Sequence, residues 1–141
     1  MLNILHRVGI AAAPSRVFEA LTTTDGISGW WAEAHGDASQ GGGFDFRGGR
    51  LNVVQADAGL VKWRYSGPFQ DWADTEIVFR IKPHDDQTVV LFSHEGWREP
   101  NEIMHHCSTK WAMYLLSLKD LVEKGGGRLM LKDARIAKDL P

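Results

Sequence analysis

The chain has 141 residues, 43% of them hydrophobic and 24% charged, and sixteen basic against eighteen acidic side chains give a net charge of −2. A chain of this size buries about two-thirds of its unfolded surface, enough for one sizeable core and too little for two. The charge balance offers no basic field for phosphates, which argues against a nucleic-acid binder. The longest apolar runs, such as Thr88-Val89-Val90-Leu91-Phe92, fall far short of the roughly 20 residues of a membrane helix. The stretch Met1-Leu2-Asn3-Ile4-Leu5-His6-Arg7 lacks the pattern of a secretion signal, and the single cysteine, Cys107, allows no internal disulfide. The expected setting is the cytoplasm. The compositional surplus is six tryptophans.

Leu2, Ile4, His6, Val8 and Ile10 alternate with Asn3, Leu5, Arg7 and Gly9, so the first strand has one largely apolar face. Ala11-Ala12-Ala13-Pro14-Ser15 breaks it. Proline suits the first turn of a helix, where its missing N–H would be unpaired anyway. Val17, Phe18 and Leu21 carry that short helix to about Thr22. Thr24-Asp25 is the expected cap of a second short turn before Trp30-Trp31.

From residue 41 onward the signal is β. Gly41-Gly42-Gly43 leads into Phe44-Asp45-Phe46-Arg47, Gly48-Gly49 reads as a hairpin turn, and Leu51 to Val54 returns. Ala58-Gly59 turns again. Val61, Trp63 and Tyr65 then alternate with polar residues until Gly67-Pro68 stops the strand. Ile77, Phe79 and Ile81 alternate next, Pro83 to Asp86 turns, and Thr88 to His94 is the last strand. Strand after strand with short turns predicts an antiparallel meander.

Between Pro100-Asn101-Glu102 and Gly125-Gly126-Gly127 the period changes to that of a helix. Met104, Cys107, Trp111, Leu115, Leu118 and Val122 form a stripe, flanked by Tyr114 and Leu121. Roughly 22 helical residues span about 33 Å, enough to cross a small sheet. The stripe must be buried, and the meander is the large surface available to it. The expected architecture is an α+β helix-grip. A curved antiparallel sheet of about six to seven strands wraps a long C-terminal helix, with two short helices after the first strand. The domain covers residues 1–127, and 128–141 form a tail of unassigned structure.

Several short motifs follow one another over about residues 2 to 126. They are Ala13-Pro14-x-x-Val17-Phe18-x-Ala20-Leu21-Thr22, Trp30-Trp31, Gly42-Gly43-Phe44-Asp45-Phe46, Val61-Lys62-Trp63, Thr75-x-Ile77-x-Phe79, Thr88-x-Val90-x-Phe92-x-His94-x-Gly96, and Trp111 with Leu115, Leu118 and Leu121. In that order and spacing they resemble the START-like superfamily (SRPBCC, polyketide cyclase or Bet v 1-like). The nearest resemblance within it is to the branch homologous to the C-terminal domain of the activator of Hsp90 ATPase. The resemblance implies a helix-grip fold with a cavity between the sheet and the last helix. Members include lipid and polyketide binders, cyclases, hydratases and a co-chaperone domain, since one fold hosts many sites. The eukaryotic activator also carries a separate N-terminal domain that engages the chaperone. The 141 residues here leave no room for one, so Hsp90 activation by the full mechanism is not expected.

His94 shares a strand face with Val90 and Phe92, which the resemblance places toward the cavity. A histidine there is a candidate acid or base for a bound carbonyl or hydroxyl. The competing expectation is that it only hydrogen-bonds a neighbour, because no carboxylate partner is visible and buried polar groups are usually paired. His105 and His106 are adjacent on a helix and cannot serve one ion as an i, i+4 pair can, so no metal is expected. The glycine runs match neither a phosphate-binding loop nor a dinucleotide fingerprint, so no cofactor is expected. Gly-x-Ser-x-Gly is absent, and Cys107 in the apolar stripe reads as a buried hydrophobe. Asp45 and Arg64 are expected to face solvent as a cross-strand pair, and Arg47 and Arg80 to face solvent as well.

Three readings of function follow. The first is non-catalytic binding of a small hydrophobic or aromatic molecule between sheet and helix, by Trp31, Phe46, Trp63, Phe79, His94 and Trp111. The second is an enzyme of the polyketide cyclase or hydratase type, with His94 as acid or base. The third is a protein-interaction module of the co-chaperone type that uses the exposed face of the sheet, with a homodimer and a chaperone partner both left open. Trp63 and Trp111 are expected to pack sheet to helix. At least one of Trp30 and Trp31 closes the core edge, and Trp72 and Trp97, beside turns, are expected to be exposed.

Overall fold

In the computed structural model, residues 2–128 are described. The tail expectation, apart from Arg128, therefore lies outside the described residues. Strand β1 (Leu2–Ile10) runs as the alternation predicts and leads to α1 (Pro14–Thr22), which opens on its proline and buries Val17, Ala20 and Leu21. α2 (Thr24–Trp30) is capped one residue before the expected Thr24. The hydroxyl of Thr23 accepts the Gly26 N–H at 3.0 Å, satisfying a donor the helix itself cannot.

β2 (Ala34–Asp37) has no sequence signal, because Ala34-His35-Gly36-Asp37 shows no apolar alternation; it forms by pairing with β3 (Gly43–Phe46). β3 returns as β4 (Gly49–Asp57), with Phe46 opposite Gly49. The turn is thus Arg47-Gly48, one residue earlier than expected. Both turn residues have positive φ, 46° and 81°, which matches the right-handed twist of a hairpin. β5 (Leu60–Ser66), β6 (Glu76–His84) and β7 (Gln87–Trp97) complete one antiparallel sheet in the order β1-β7-β6-β5-β4-β3-β2. β1 and β2 are its two edges.

α3 (Glu102–Lys124) begins where the Asn101 side chain accepts the Met104 N–H at 3.0 Å, and it ends at Gly125 with φ 86°. Its stripe turns to the sheet: Cys107, Trp111, Leu115, Leu118 and Val122 are all buried. Lys119 Nζ donates to Gly9 O at 2.8 Å, and His6 Nε2 lies 3.0 Å from Ser108 O, so α3 lies along β1. The α+β helix-grip is therefore present. No helix among the described residues is long and apolar enough to cross a membrane.

Three expectations need correction. Trp97 is 1% exposed, not exposed. β7 continues past His94, and β1 pairs Leu2 with Trp97 but Asn3 with Glu95, leaving Gly96 as an extra residue at φ 90°. That bulge reverses the alternation and turns Trp97 inward. Trp72 is 3% exposed because it ends a 3-10 turn, Gln70–Trp72, that sets its ring against Tyr65, His94 and Trp111. Asp45 and Arg64 form no pair, because β4 runs between their strands. Asp45 meets Arg50 at 3.1 Å, and Arg64 meets Asp74 at 3.6 Å and Glu76 at 3.9 Å.

Candidate functional site

All six predicted site residues lie in one aromatic interior between sheet and α3, and none is more than 3% exposed. Trp31 is its centre. α2 delivers it from above, and its ring stacks on Phe46 at 3.8 Å and on Trp63 at 5.7 Å, and leans on Trp111 at 5.0 Å. Phe79 meets Trp63 edge-on at 4.9 Å. Apart from the closer Trp31–Phe46 stack, these contacts fall in the roughly 4.5–7 Å range that aromatic packing favours. Trp30 stacks on Trp31 at 5.8 Å and gives its indole N–H to Ala20 O at 3.0 Å.

His94 sits at the other end of this interior. Its Nδ1 accepts the Trp111 indole N–H at 3.1 Å, which places the ring proton on Nε2. Nε2 then donates to Thr75 Oγ1 at 2.9 Å, and the Thr75 hydroxyl donates to Trp72 O at 2.7 Å. Each link of this Trp111–His94–Thr75–Trp72 relay is a hydrogen bond. Burial pushes the imidazole pKa down to about 3, so the ring is neutral across the physiological range. Both nitrogens are engaged, and the ring works as a polar strut joining β7, α3 and the segment before β6.

Trp72, Thr75 and Phe92 complete the site and were absent from the predicted set. Trp72 meets His94 edge-on at 4.7 Å and gives its N–H to Cys107 Sγ at 3.4 Å; Phe92 meets Trp111 at 4.5 Å. Phe92 alternates with Val90 and was readable from period alone. Trp72 and Thr75 were not, because a loop has no period. Burial raises the Cys107 thiol to about 11, which leaves it unreactive. Arg47 is exposed, as expected, yet its guanidinium lies 5.7 Å above Phe46 and its Nη2 is 3.4 Å from Tyr114 Oη.

Two indole nitrogens of this interior stand out. Trp63 Nε1 and Trp97 Nε1 are buried without a hydrogen-bond partner. Surface clefts occur elsewhere. One of about 200 Å³ lies among Gln70, Asp71, Trp97, Arg98, Glu99 and Asn101, and one of about 300 Å³ lies between the short helices and α3 at Arg16, Ala20 and Leu121. None of the six residues lines either. Among the described residues, no group of three or more His, Cys, Asp or Glu is arranged to hold a metal ion.

Residues 11–123 match the family described as activator of Hsp90 ATPase homolog 1-like protein. The chain belongs to that family. The solution structure of the Aha1 dimer from Colwellia psychrerythraea is 40% identical, with a TM-score of 0.81 over 90% of this chain and 100% of that one. CalU16 from Micromonospora echinospora is 20% identical, with a TM-score of 0.75 over 90% of this chain and 77% of its own. SSP2350 from Staphylococcus saprophyticus is 18% identical, with a TM-score of 0.74 over 90% and 96%. These last two share the fold alone. Comparison with curated proteins gives no match.

Proposed function

We propose that this member of the activator of Hsp90 ATPase homolog 1-like family is a non-catalytic association domain, binding protein surfaces and forming a homodimer. The observation that carries the reading is the closure of the interior around Trp31, whose ring contacts Phe46 at 3.8 Å, Trp111 at 5.0 Å and Trp63 at 5.7 Å. Aromatic rings packed this closely leave less room for a ligand. The engagement of both His94 nitrogens supports a non-catalytic role, because a general acid or base needs a free site toward its substrate. The dimer of the Colwellia relative supports self-association. The family description makes a chaperone the first heterologous partner to try. A cytoplasmic setting fits the one buried cysteine.

Two measurements on the purified chain test this. Light scattering is expected to give twice the 15.8 kDa of one chain. A panel of fatty acids, flavonoids and polycyclic aromatics is expected to raise the melting temperature by less than about 2 °C. A larger, saturable shift from one flat apolar compound overturns the association reading in favour of the second one.

That second reading is a small apolar ligand in the sheet–helix interior, and the unpaired Trp63 N–H favours it. A buried donor with no partner costs about 1–3 kcal/mol, which a ligand acceptor would relieve. Its mark is that a compound with a carbonyl or hydroxyl oxygen binds the wild type and not Trp63→Phe.

A further inference from the structure

We propose that the homodimer forms by antiparallel pairing of two β1 strands across Asn3–Arg7, with Leu5 opposite Leu5 of the partner subunit. This rests on the association reading above and specifies its surface.

The direction of each backbone group on β1 follows from hydrogen-bond parity. Ile81 N–H donates to Gly59 O at 3.0 Å, so odd residues of β6 face β5 and even ones face β7. Arg80 pairs with Leu91 and Val78 with Ser93, so odd residues of β7 face β6 and even ones face β1. His94 pairs with Ile4 and Phe92 with His6, so even residues of β1 are used up on β7. Odd residues of β1 therefore turn both N–H and C=O to the open edge. Two further bonds agree with this: Gly9 O accepts Lys119 Nζ at 2.8 Å, and Ala11 N–H goes to Glu123 Oε2 at 2.6 Å.

Those two bonds also divide the edge. Lys119 and Glu123, themselves paired at 2.6 Å, cap its far half at Gly9 and Ala11. Among the described residues, nothing caps the backbone groups of Leu5 and Arg7. An uncapped edge is a template for another strand, and charged residues are its usual guard. Here the midpoint of the open stretch is a leucine that is 70% exposed.

The length of that stretch sets the register. With pairing blocked from Gly9 onward, the symmetric arrangement centres on Leu5 and sets Asn3 opposite Arg7 of the partner subunit. A two-fold axis through Leu5 makes the contact isologous and closed, so it stops at two copies. It also matches charge. Asn3 lies beside Glu95, which lies beside Glu76 on the same outer face. Arg64 serves Glu76 at 3.9 Å, and among the described residues no cation pairs with Glu95. Arg7 of the partner subunit enters that row next to Asn3 and supplies the missing positive charge.

The test is solution mass against concentration for the wild type, Leu5→Lys and Val54→Lys, with circular dichroism to confirm folding. Leu5 and Val54, 70% and 52% exposed, tolerate lysine in the monomer. Leu5→Lys is expected to raise the dimer dissociation constant at least about tenfold, since a lysine at the joint is how natural edges refuse a partner strand. Val54→Lys, on β4, is expected to leave it unchanged. Leu5→Cys is expected to form an intermolecular disulfide on mild oxidation, because facing hydrogen-bonded residues have Cα atoms about 5.5 Å apart. A wild type that stays monomeric sinks the self-association reading and this joint with it. A wild-type dimer that Leu5→Lys leaves intact and Leu5→Cys does not link overturns the β1 joint alone.

Discussion

His94 Nδ1 accepts the Trp111 indole N–H at 3.1 Å, so one hydrogen bond ties the last strand to the long helix inside an aromatic interior. Both partners are buried to within 1%. Water cannot replace either group, and the bond therefore counts for more than its net value at a surface.

Trp111→Phe keeps most of the ring and removes the donor. It is expected to lose about 1–3 kcal/mol of unfolding free energy, the cost of leaving Nδ1 without a partner. Trp111→Ala adds a cavity and is expected to lose about 3–5 kcal/mol. Urea unfolding followed by circular dichroism measures both, and a Trp111→Phe protein as stable as wild type contradicts the strut.

Thr75 accepts from the opposite nitrogen of the same ring at 2.9 Å. Thr75→Val and Trp111→Phe should therefore not add, because either change frees the imidazole to shift. A double-mutant cycle is expected to show a coupling of at least about 0.5 kcal/mol. Strict additivity would mean that His94 transmits nothing between them.

Acid should expose the same residue. Folded His94 stays neutral down to about pH 3, while in the unfolded chain it gains a proton near 6.5. Between those values the unfolded chain holds the extra proton, so this part of the stability is intact above 6.5 and is lost as pH falls toward 3. Below about pH 6 the loss approaches ~1.4 kcal/mol per pH unit. The carboxylates of Asp37, Asp57, Asp120 and Glu123 are held low by hydrogen bonds from Ser39, Gln55, Arg128 and the Ala11 N–H, so their own losses come at more acid pH. Urea titrations of wild type and His94→Gln between about pH 7 and 5 isolate the histidine. Parallel pH curves for the two proteins would refute the assignment.

Trp31→Ala should open the interior that Trp31 closes. It is expected to cost about 3–5 kcal/mol and to create an apolar void. Added indole should then raise the melting temperature of the variant and not of the wild type. Equal shifts in both proteins would show that the native interior already has room.

Much of the fold was legible in order and period. Alternation along β1, β5 and β6 and the 3.6-residue stripe of α3 each bury one face, and only a sheet laid on a helix buries both. The same periodicity put Phe46, Trp63 and Phe79 on apolar strand faces and Trp111 on the helical stripe, while the family resemblance placed His94 toward the cavity. Chain order and apolar spacing are local properties, and a sequence records them directly.

What it does not record is where a non-periodic residue goes. Trp72 and Trp97 stand beside turns, and only a 3-10 turn and a bulge at Gly96 send them inward. Thr75 has no periodic claim on His94, yet it accepts the Nε2 proton. The open half of β1 ends where Lys119 and Glu123, more than a hundred residues away, cap the other half. The sequence by itself determined the helix-grip and its aromatic filling. The tertiary structure decided that His94 is a strut and that Leu5 stands on an open edge. Both depend on hydrogen bonds between distant segments, whose geometry is set only when the chain has closed on itself.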